Sequence, residues 1–536
     1  MKGMQQLQAE VRSAPARTGS GSERVLLVAL VLVALAVLIR TAWVCDDAYI
    51  TLRVVDNLVH GYGLRWNVDE RVAAFSHPLW MLLVSGLYVL TNEGYFTILA
   101  VGIVVTLITM TGVAWRGQPS FAASAIPLLA LLSSKAFVDF STSGLENPLT
   151  DFLLLLFVLA WNRRDTTARL SRLAVVAALV LMNRTDAGLL LAPALAVAMV
   201  MDARQAGWRA TIGRLAAGMA PLAIWTTFSL LYFGSPVANT AYAKLSTGVP
   251  AASSIRQGLY YFDLGFWFDP ITLLVIAIVP LAIAVKLTRR DWPLVAGVVV
   301  SCLYVVRVGG DFMYGRFLVA PFFMSLLILQ PLTARLSLAS GTLAAGTVLA
   351  IALTAPYQPS LLAGARFGAR DPANKNLALH GIHDERRWYY PQAGLLRQEH
   401  GTLHPNHPWA YDGVNVRASH ESVVSRGNIG FYGYFAGPEV HVIDPYALAD
   451  PLLARLPAVP NSRIGHFRRL IPAGYPESVR DQRVQIANPS LAEYYRRLHL
   501  ITSGPLLSRA RLRAILDLNL GRLDYLVDDY VRTVSR

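Results

Sequence analysis

Two adjacent aspartates follow the first apolar run of the sequence. Asp46 and Asp47 come directly after Cys45, and Arg53 lies within the next two helical turns. Neighbouring carboxylates beside an apolar layer repel each other and are costly to desolvate, so their pKa values should rise unless Arg53 or a bound cation compensates. Such a carboxylate suits a general base that takes the proton of an attacking hydroxyl. The alternative is that one aspartate only caps the next helix.

Further acidic and basic residues interrupt later apolar runs. Glu146 stands just before one such run, where an acidic residue also simply favours a helix N-terminus. Arg184 and Asp186 separate two half-length runs. Ionisable residues within a membrane usually have a functional or a structural role. Arg184 and Asp186 therefore indicate either substrate contact or a structural ion pair.

Two cations, Lys244 and Arg316, follow later runs in loops that also contain Asp311 and Tyr314. A lone cation can simply reach lipid phosphates. Two cations that converge with acidic residues on one face indicate a phosphate-binding pocket instead. The sequence therefore predicts a set of donor or acceptor contacts made by Arg53, Glu146, Arg184, Asp186, Lys244, Asp311, Tyr314 and Arg316.

The histidines give a weaker metal signal. Most of the 11 histidines lie after residue 356, and the pairs His380/His383 and His404/His407 have spacings that could hold a metal. No clear third ligand accompanies them, so surface or packing roles are the ordinary interpretation. Without a Walker loop, dinucleotide fingerprint or HExxH sequence, an ATP-driven pump and a zinc protease are disfavoured. No cofactor is certain, and a divalent metal at the aspartate pair stays open.

The composition identifies the class of protein that must position these residues. Apolar residues make up 54% of the 536-residue chain and charged residues only 15%, whereas soluble domains carry roughly 25% charged residues. The apolar residues cluster in runs of about 13 to 20, close to the roughly 20 needed to span a bilayer. The net charge of +14 fits anionic or phosphate-bearing lipids and does not argue for nucleic acid. Two cysteines exclude a disulfide framework.

The order of the runs predicts a polytopic α-helical membrane protein. Residues 1–24 are polar and predict a flexible cytoplasmic tail, and the run at 25–44 predicts an uncleaved first span. The positive-inside rule places the first loop, 45–77, outside and the basic loops at 162–172, 202–214 and 286–290 inside. Twelve runs would put both termini on one side, so one run between Pro78 and Trp161 must be re-entrant or fused, leaving about 11 spans.

The last third of the chain differs from the rest. After residue 356 no run of spanning length occurs, a strand is predicted at 439–443 and a helix at 508–518. We therefore expect a transmembrane domain at 25–355 and a soluble α+β domain at 356–536 on the extracytoplasmic face.

The order of these segments resembles a bacterial family of GT-C fold glycosyltransferases, related to mycobacterial terminal β-arabinofuranosyltransferases and pilin arabinosyltransferases. The likeness covers most of the chain, although Thr185 replaces the proline expected between Arg184 and Asp186. The matching pieces are Asp46-Asp47-Ala48-Tyr49-Ile50-Thr51, Phe75-Ser76-His77-Pro78-Leu79-Trp80, Ser143-Gly144-Leu145-Glu146, Arg184-Thr185-Asp186, Ser235-Pro236 to Lys244, Gly310-Asp311 to Phe317, Gly427-Asn428-Ile429-Gly430-Phe431 and Val442-Ile443-Asp444-Pro445-Tyr446.

The resemblance implies a multi-pass enzyme of the inner (plasma) membrane with its active site on the extracytoplasmic face. It implies transfer of a sugar, arabinofuranose, from a polyprenyl-phosphate donor to a cell-envelope glycan or surface protein, with Asp46 or Asp47 as the catalytic carboxylate. Two other classes stay open. A transporter or flippase of an envelope lipid should show inverted repeats, which the sequence lacks, and a noncatalytic scaffold of an envelope synthesis complex would tolerate loss of both aspartates.

Overall fold

The computed structural model describes residues 21–116, 121–163, 168–245, 247–284, 291–357, 359–362, 378–460 and 462–534. These residues form mostly helices, with two small two-stranded sheets. Residues 1–20 of the predicted tail, and residues 164–167 and 286–290 of two predicted basic loops, lie outside the described residues.

The described helices before residue 356 are mostly apolar. In chain order they are α1 (Gly21–Thr41), α2 (Asp46–Val59), α3 (Pro78–Thr91), α4 (Tyr95–Arg116), α5 (Phe121–Ser133), α6 (Lys135–Phe140), α7 (Asn147–Asn162), α8 (Arg169–Asn183), α9 (Gly188–Ala206), α10 (Trp208–Phe233), α11 (Asn239–Leu245), α12 (Ala251–Phe268), α13 (Pro270–Ala284), α14 (Trp292–Val308), α15 (Val319–Thr333) and α16 (Leu338–Thr354). A single 3-10 turn, Thr185–Ala187, joins α8 to α9, so the predicted interruption at Arg184 is confirmed.

Several of these helices have the length and apolarity of membrane spans. By length and composition three described segments qualify: α4, α10 and the segment Thr185–Ala206, which contains α9. A fourth arises if α12 and the following helix, bent by 115°, count as one span, and seven shorter apolar helices accompany them. The apolar helices support a membrane protein, while the number of about 11 spans stays a prediction. Between residues 78 and 161, α3 and α5 have 14 and 13 residues, and the prediction that one run in this stretch is re-entrant or fused stays a prediction.

Proline begins and glycine ends several of the helices that border the polar clusters. Proline stands in the first turn of α3 and of α7, where its missing N–H costs nothing because that position has no helical partner. Gly234 and Gly309 end α10 and α14 with φ of 83° and 91°, a left-handed conformation that glycine adopts without strain. The clusters that follow, at 235–244 and 310–317, therefore begin where the apolar helices stop.

The chain after residue 356 forms short helices and strands. They are β1 (Ala378–Leu379), β2 (Ile382–His383), α17 (Glu385–Ala393), α18 (Pro408–Ser419), β3 (Val423–Ser425), α19 (Gly430–Ala436), β4 (His441–Ile443), α20 (Tyr475–Arg480), α21 (Pro489–Ser503), α22 (Arg509–Asn519) and α23 (Asp524–Val534). β1 and β2 pair antiparallel, and β3 and β4 pair parallel, with Val424 opposite Val442. The strand predicted at 439–443 and the helix predicted at 508–518 are confirmed by β4 and α22.

This C-terminal part packs directly against the first loop. Trp43 forms a β-bridge with Gly394, and the Val44 amide donates to the Ala393 carbonyl at 3.2 Å. One hydrophobic core runs without interruption from residues of α1 and α2 to residues of α19 and β4. The predicted boundary at residue 356 therefore marks a change of composition rather than a break in packing.

Candidate active site

A cavity of about 620 Å³ lies between the start of α2 and the C-terminal part. Asp46, Asp47 and Lys244 line it from the part before residue 356. The C-terminal part contributes aromatic, basic and acidic side chains, namely His383, Glu385, Trp388, Tyr389, Trp409, Asn428, Tyr446, Arg463, His466 and Arg468. Both halves of the chain therefore build one polar and aromatic cavity around the aspartate pair.

Asp46 is held by the N-terminus of α19. Its two carboxylate oxygens accept the amides of Gly430 and Phe431 at 3.0 and 2.7 Å. Position 430 has to be glycine here, because a Cβ would lie 1.7 Å from the Asp46 carbonyl oxygen. Burial raises the pKa of Asp46 to about 7 even though these amide bonds favour the ionised form. Asp46 thus connects α2 to the C-terminal part with both oxygens engaged.

Asp47 differs from Asp46 in the surroundings of its carboxylate. Its side chain is half-buried, and within the described residues its carboxylate accepts no hydrogen bond. Burial raises its pKa above the ordinary value; Arg316 and Lys244 oppose the rise, and the charges of Asp311 and Glu146 add to it. A carboxylate with a raised pKa and unoccupied oxygens in a cavity has the properties of a general base.

Behind Asp47 lies a buried ion network centred on Glu146. Its carboxylate is 3.3 Å from the Arg316 guanidinium, 3.7 Å from that of Arg184 and 3.4 Å from Nδ1 of His77. Burial alone would raise the pKa of Glu146, but these three partners outweigh it and lower the pKa to about 2. Glu146 is therefore ionised at any physiological pH and fixes Arg316 beside Asp47.

Both arginines of this network have a second acidic partner. Arg184 Nε lies 3.1 Å from Asp186, and an Arg316 guanidinium nitrogen lies 3.6 Å from Asp311. The four residues come from two separate segments of the sequence, 183–186 and 309–317, and the structure brings these segments together with Glu146. Because each cation is already paired, the network is better suited to setting the field around Asp47 than to binding a further anion.

Lys244 is the predicted cation that faces the cavity. Its side chain is exposed and forms no ion pair with any described residue. Its helix, α11, is fixed by Asn239, whose amide donates to the carbonyls of Ala447, Leu448 and Asp450 at 2.9 to 3.2 Å. Lys244 thus has no ion-pair partner among the described residues, and hydrogen bonds from Asn239 fix the position of its helix.

Arg53 and Tyr314 are not among the residues that line the cavity, and their roles as donor or acceptor contacts stay predictions. The same holds for Glu146, Arg184, Asp186, Asp311 and Arg316. Arg53 donates to the backbone carbonyls of Trp66, Gly433 and Val440, each at 2.8 Å, and so ties α2 to the C-terminal part. The expected compensation of the aspartate pair by Arg53 comes instead from Arg316 and Lys244 for Asp47. Tyr314 is buried, and its hydroxyl has no partner in the described part of the chain.

The predicted histidine pairs separate in the structure. His380 stacks on Tyr260 with ring centroids 3.8 Å apart, and His407 caps α18 by accepting the Trp409 amide. Of these four histidines, His383 alone is among the residues that line the cavity. The described residues contain no group of three or more His, Cys, Asp or Glu placed to hold a metal. A divalent metal at the aspartate pair stays a prediction.

Sequence reasoning missed most of the cavity wall formed by the C-terminal part. Glu385, Arg463 and His466 lie in or beside loops without hydrophobic periodicity, and nothing in their spacing singled them out. Two motifs did give a signal. The segments around Gly427 and Tyr446 were part of the family resemblance, and both line the cavity.

Comparison with known proteins supports the resemblance. The chain is 29% identical to a terminal beta-(1->2)-arabinofuranosyltransferase of Mycobacterium tuberculosis over 522 residues, which cover 80% of this chain and 81% of that protein. It is also 29% identical to a protein of the same name from Corynebacterium glutamicum over 336 residues, which cover 53% of this chain and 47% of that protein. No family model and no solved structure matches. The chain is related to these arabinofuranosyltransferases, as its motifs predict, while the GT-C fold assignment stays a prediction.

Proposed function

We propose that this protein is a membrane glycosyltransferase that transfers an arabinofuranosyl residue from a polyprenyl-phosphate donor to a cell-envelope glycan or surface protein. The two relatives are named arabinofuranosyltransferases, and the apolar helices fit a lipid-linked donor. In this proposal the cavity opens on the extracytoplasmic face, and the sugar of the donor enters beside Asp47.

The observation that carries the proposal is the environment of Asp47. Its half-buried carboxylate accepts no hydrogen bond from the described residues, and it shares a cavity with the unpaired cation Lys244. Two oppositely charged groups on one cavity suit a transfer in which a proton leaves one substrate and negative charge develops on the other.

The reaction follows from these two charges. Asp47 takes the proton of the acceptor hydroxyl while the hydroxyl oxygen bonds to the anomeric carbon of the donor sugar. The bond between that carbon and the phosphate oxygen breaks, and the electron pair leaves with the polyprenyl phosphate. The leaving group gains one negative charge, which a nearby cation stabilises. The sugar is already activated by the phosphate, so no nucleotide takes part in this step.

The test is transfer of radiolabelled sugar from synthetic polyprenyl-phosphoryl arabinofuranose in membranes that contain equal amounts of each variant. We expect Asp47→Asn to lower the transfer rate by roughly 10²- to 10⁴-fold, the usual contribution of a general base. Asp46→Asn should act through the amount of folded protein, because Asp46 is engaged with α19.

The matched control is Asp528→Asn, the same chemical change at an exposed position of α23. It should transfer sugar at the wild-type rate. Equal transfer by the wild type and by Asp47→Asn would exclude Asp47 as the base. Absence of transfer by the wild type, with folded protein present, would contradict the donor and favour another lipid-linked sugar.

A further inference from the structure

Arg463 is a cation of the cavity wall that is held without an acidic partner. One of its terminal nitrogens lies 2.6 Å from Nε2 of His383 and the other 2.7 Å from Nδ1 of His466. Its guanidinium carbon also lies 5.3 Å from the centre of the Phe312 ring. Three aromatic rings therefore fix the position of this charge.

The two histidines must be neutral and accept from Arg463, because a guanidinium has only donors. Burial, Arg463 and Lys244 all lower the pKa of His466, and burial and Arg463 lower that of His383. Glu385 lines the same cavity, yet neither it nor any other described acid forms an ion pair with Arg463. No described acid thus forms a direct ion pair with Arg463. Burial lowers the pKa of Arg463, and the charges of Glu385 and Asp311 oppose this lowering through space.

Lys244 lines the same cavity and also forms no ion pair with a described residue. Arg463 contacts His466 directly, and Lys244 lines the same cavity as both residues. The contrast is with Arg184 and Arg316, which contact Glu146 and each have a second acid as well. Where several cations surround a cavity, an anionic ligand gains most from those that lack a partner, because no existing ion pair has to be broken.

We propose that Lys244 and Arg463 together bind the phosphate of the lipid-linked donor, with His383 and His466 as positioning residues for Arg463. This assignment rests on the proposed function and refines it, because the sequence alone suggested Lys244 or Arg316 for this role. Lys244 comes from the part before residue 356 and Arg463 from the C-terminal part, so the phosphate is held between the two halves of the chain.

The assignment fits the charge balance of the transfer. The donor is a phosphodiester with one negative charge, and the leaving polyprenyl phosphate gains a second when its bond to the anomeric carbon breaks. Lys244 and Arg463 together supply two positive charges, which matches the charge of that product. Arg468 is a third cation of the cavity wall; it is exposed, forms no ion pair with a described residue, and adds to the positive charge of the wall. An arginine can donate two parallel N–H groups to phosphate oxygens. Each terminal nitrogen of Arg463 donates one N–H to a histidine, which leaves one N–H on each nitrogen for the phosphate.

The experiment measures binding of radiolabelled polyprenyl phosphate to the full chain purified in phosphatidylcholine nanodiscs. We expect Arg463→Gln and Lys244→Gln each to weaken binding by roughly 10- to 100-fold, the range for a lost charged hydrogen bond. Arg463→Lys should retain part of the affinity, since it keeps the charge and loses the paired ring contacts. Lys244 is exposed and unpaired, so Lys244→Gln tests the site even if Arg463→Gln fails to fold.

Three comparisons distinguish binding through the phosphate from binding through the lipid tail and from nonspecific binding of anions. Binding of polyprenol, which lacks the phosphate, should be equal in the wild type and in Arg463→Gln. Unlabelled polyprenyl phosphate should displace the label at far lower concentration than inorganic phosphate or phosphatidylglycerol. Arg513→Gln, at an exposed and unpaired position of α22, should bind like the wild type.

The outcomes distinguish this inference from the proposed function. If Asp47→Asn abolishes transfer but Arg463→Gln and Lys244→Gln bind polyprenyl phosphate normally, the phosphate site is wrong and the general base stands. If both cation variants lose binding while Asp47→Asn still transfers sugar, the site stands and the base is wrong. Equal loss of polyprenol binding, or displacement by phosphatidylglycerol as readily as by polyprenyl phosphate, would overturn the assignment.

Discussion

Substitution of Glu146 by glutamine should have two separate effects, one on stability and one on the pH dependence of transfer. The side chain is only 3% exposed and joins Arg316, Arg184 and His77. Glutamine keeps the size of the side chain and removes its charge. The variant therefore tests the electrostatic role of Glu146 with little change in packing.

The magnitude of the stability effect follows from the pKa of Glu146. This pKa falls from its ordinary 4.5 to about 2 in the folded protein, and the difference corresponds to about 3 kcal/mol of stabilisation. Because the folded-state pKa is the lower one, this stabilisation is complete above pH 4.5 and disappears as the pH falls through about 2. Arg184 and Arg316 each keep a second acid. We expect Glu146→Gln to lose about 2 to 3 kcal/mol at pH 7.

The second effect concerns Asp47. The negative charge of Glu146 raises the pKa of Asp47, and Arg316 lowers it. In Glu146→Gln the repulsion disappears and Arg316 has one acid fewer, so both changes lower the pKa of Asp47. If Asp47 is the base, the acid limb of the plot of kcat/KM against pH moves to lower pH.

The assay combines chemical denaturation in detergent with the pH profile of sugar transfer. The control is Glu493→Gln, which removes a partly exposed acid paired with Arg496 and Arg497 on α21. It should change stability by well under about 1 kcal/mol and leave the pH profile unmoved. An acid limb that stays in place or moves to higher pH in Glu146→Gln would refute the coupling between Glu146 and Asp47.

Two further predictions concern the junction between α2 and the C-terminal part. Gly430→Ala should destabilise the protein by about 1 to 3 kcal/mol or more, because the added Cβ would meet the Asp46 carbonyl oxygen; Gly346→Ala, at a helical position with open space, is the matched control in thermal unfolding. Arg53→Lys should cost about 2 to 4 kcal/mol, since an ammonium cannot replace three donors in fixed directions. Transfer per folded molecule should persist in Arg53→Lys, and its loss would show that Arg53 acts in the chemistry.

Local signals explain what the sequence predicted of the fold. Long apolar runs predicted the helices, and the Arg184 interruption was visible because charged residues separate two half-length runs. The strand at 439–443 alternates apolar and polar side chains, and the helix at 508–518 has a helical spacing of apolar residues. The packing of the C-terminal part on α2 had no such signal, because it depends on side chains such as Arg53 that reach distant carbonyls.

The candidate site likewise has a part that the sequence predicted and a part that it did not. The sequence included Glu146, Arg184 and Arg316 in one set of candidate donor or acceptor contacts, and the structure joins these three residues in one ion network. The exclusion of Arg53 from the cavity could not be predicted, because an arginine near two aspartates in sequence ordinarily pairs with them. The role of Arg463 could not be predicted either, because its partners are two histidines rather than an acid. These histidines lie 80 and 3 residues away in the sequence.

The aspartate pair illustrates why sequence proximity does not assign chemical roles. Asp46 and Asp47 are adjacent in the first turn of α2, and neighbouring residues on a helix point about 100° apart. That rotation turns Asp46 toward two amides of α19, the first of them 384 residues away, and leaves Asp47 on the cavity. Each oxygen of Asp46 accepts one backbone amide, which holds this carboxylate against α19 and favours its ionised form, whereas the carboxylate of Asp47 accepts no hydrogen bond from the described residues. The C-terminal part, through the position of Gly430, therefore gives two identical side chains different surroundings, and this difference is the reason that we propose Asp47 rather than Asp46 as the base.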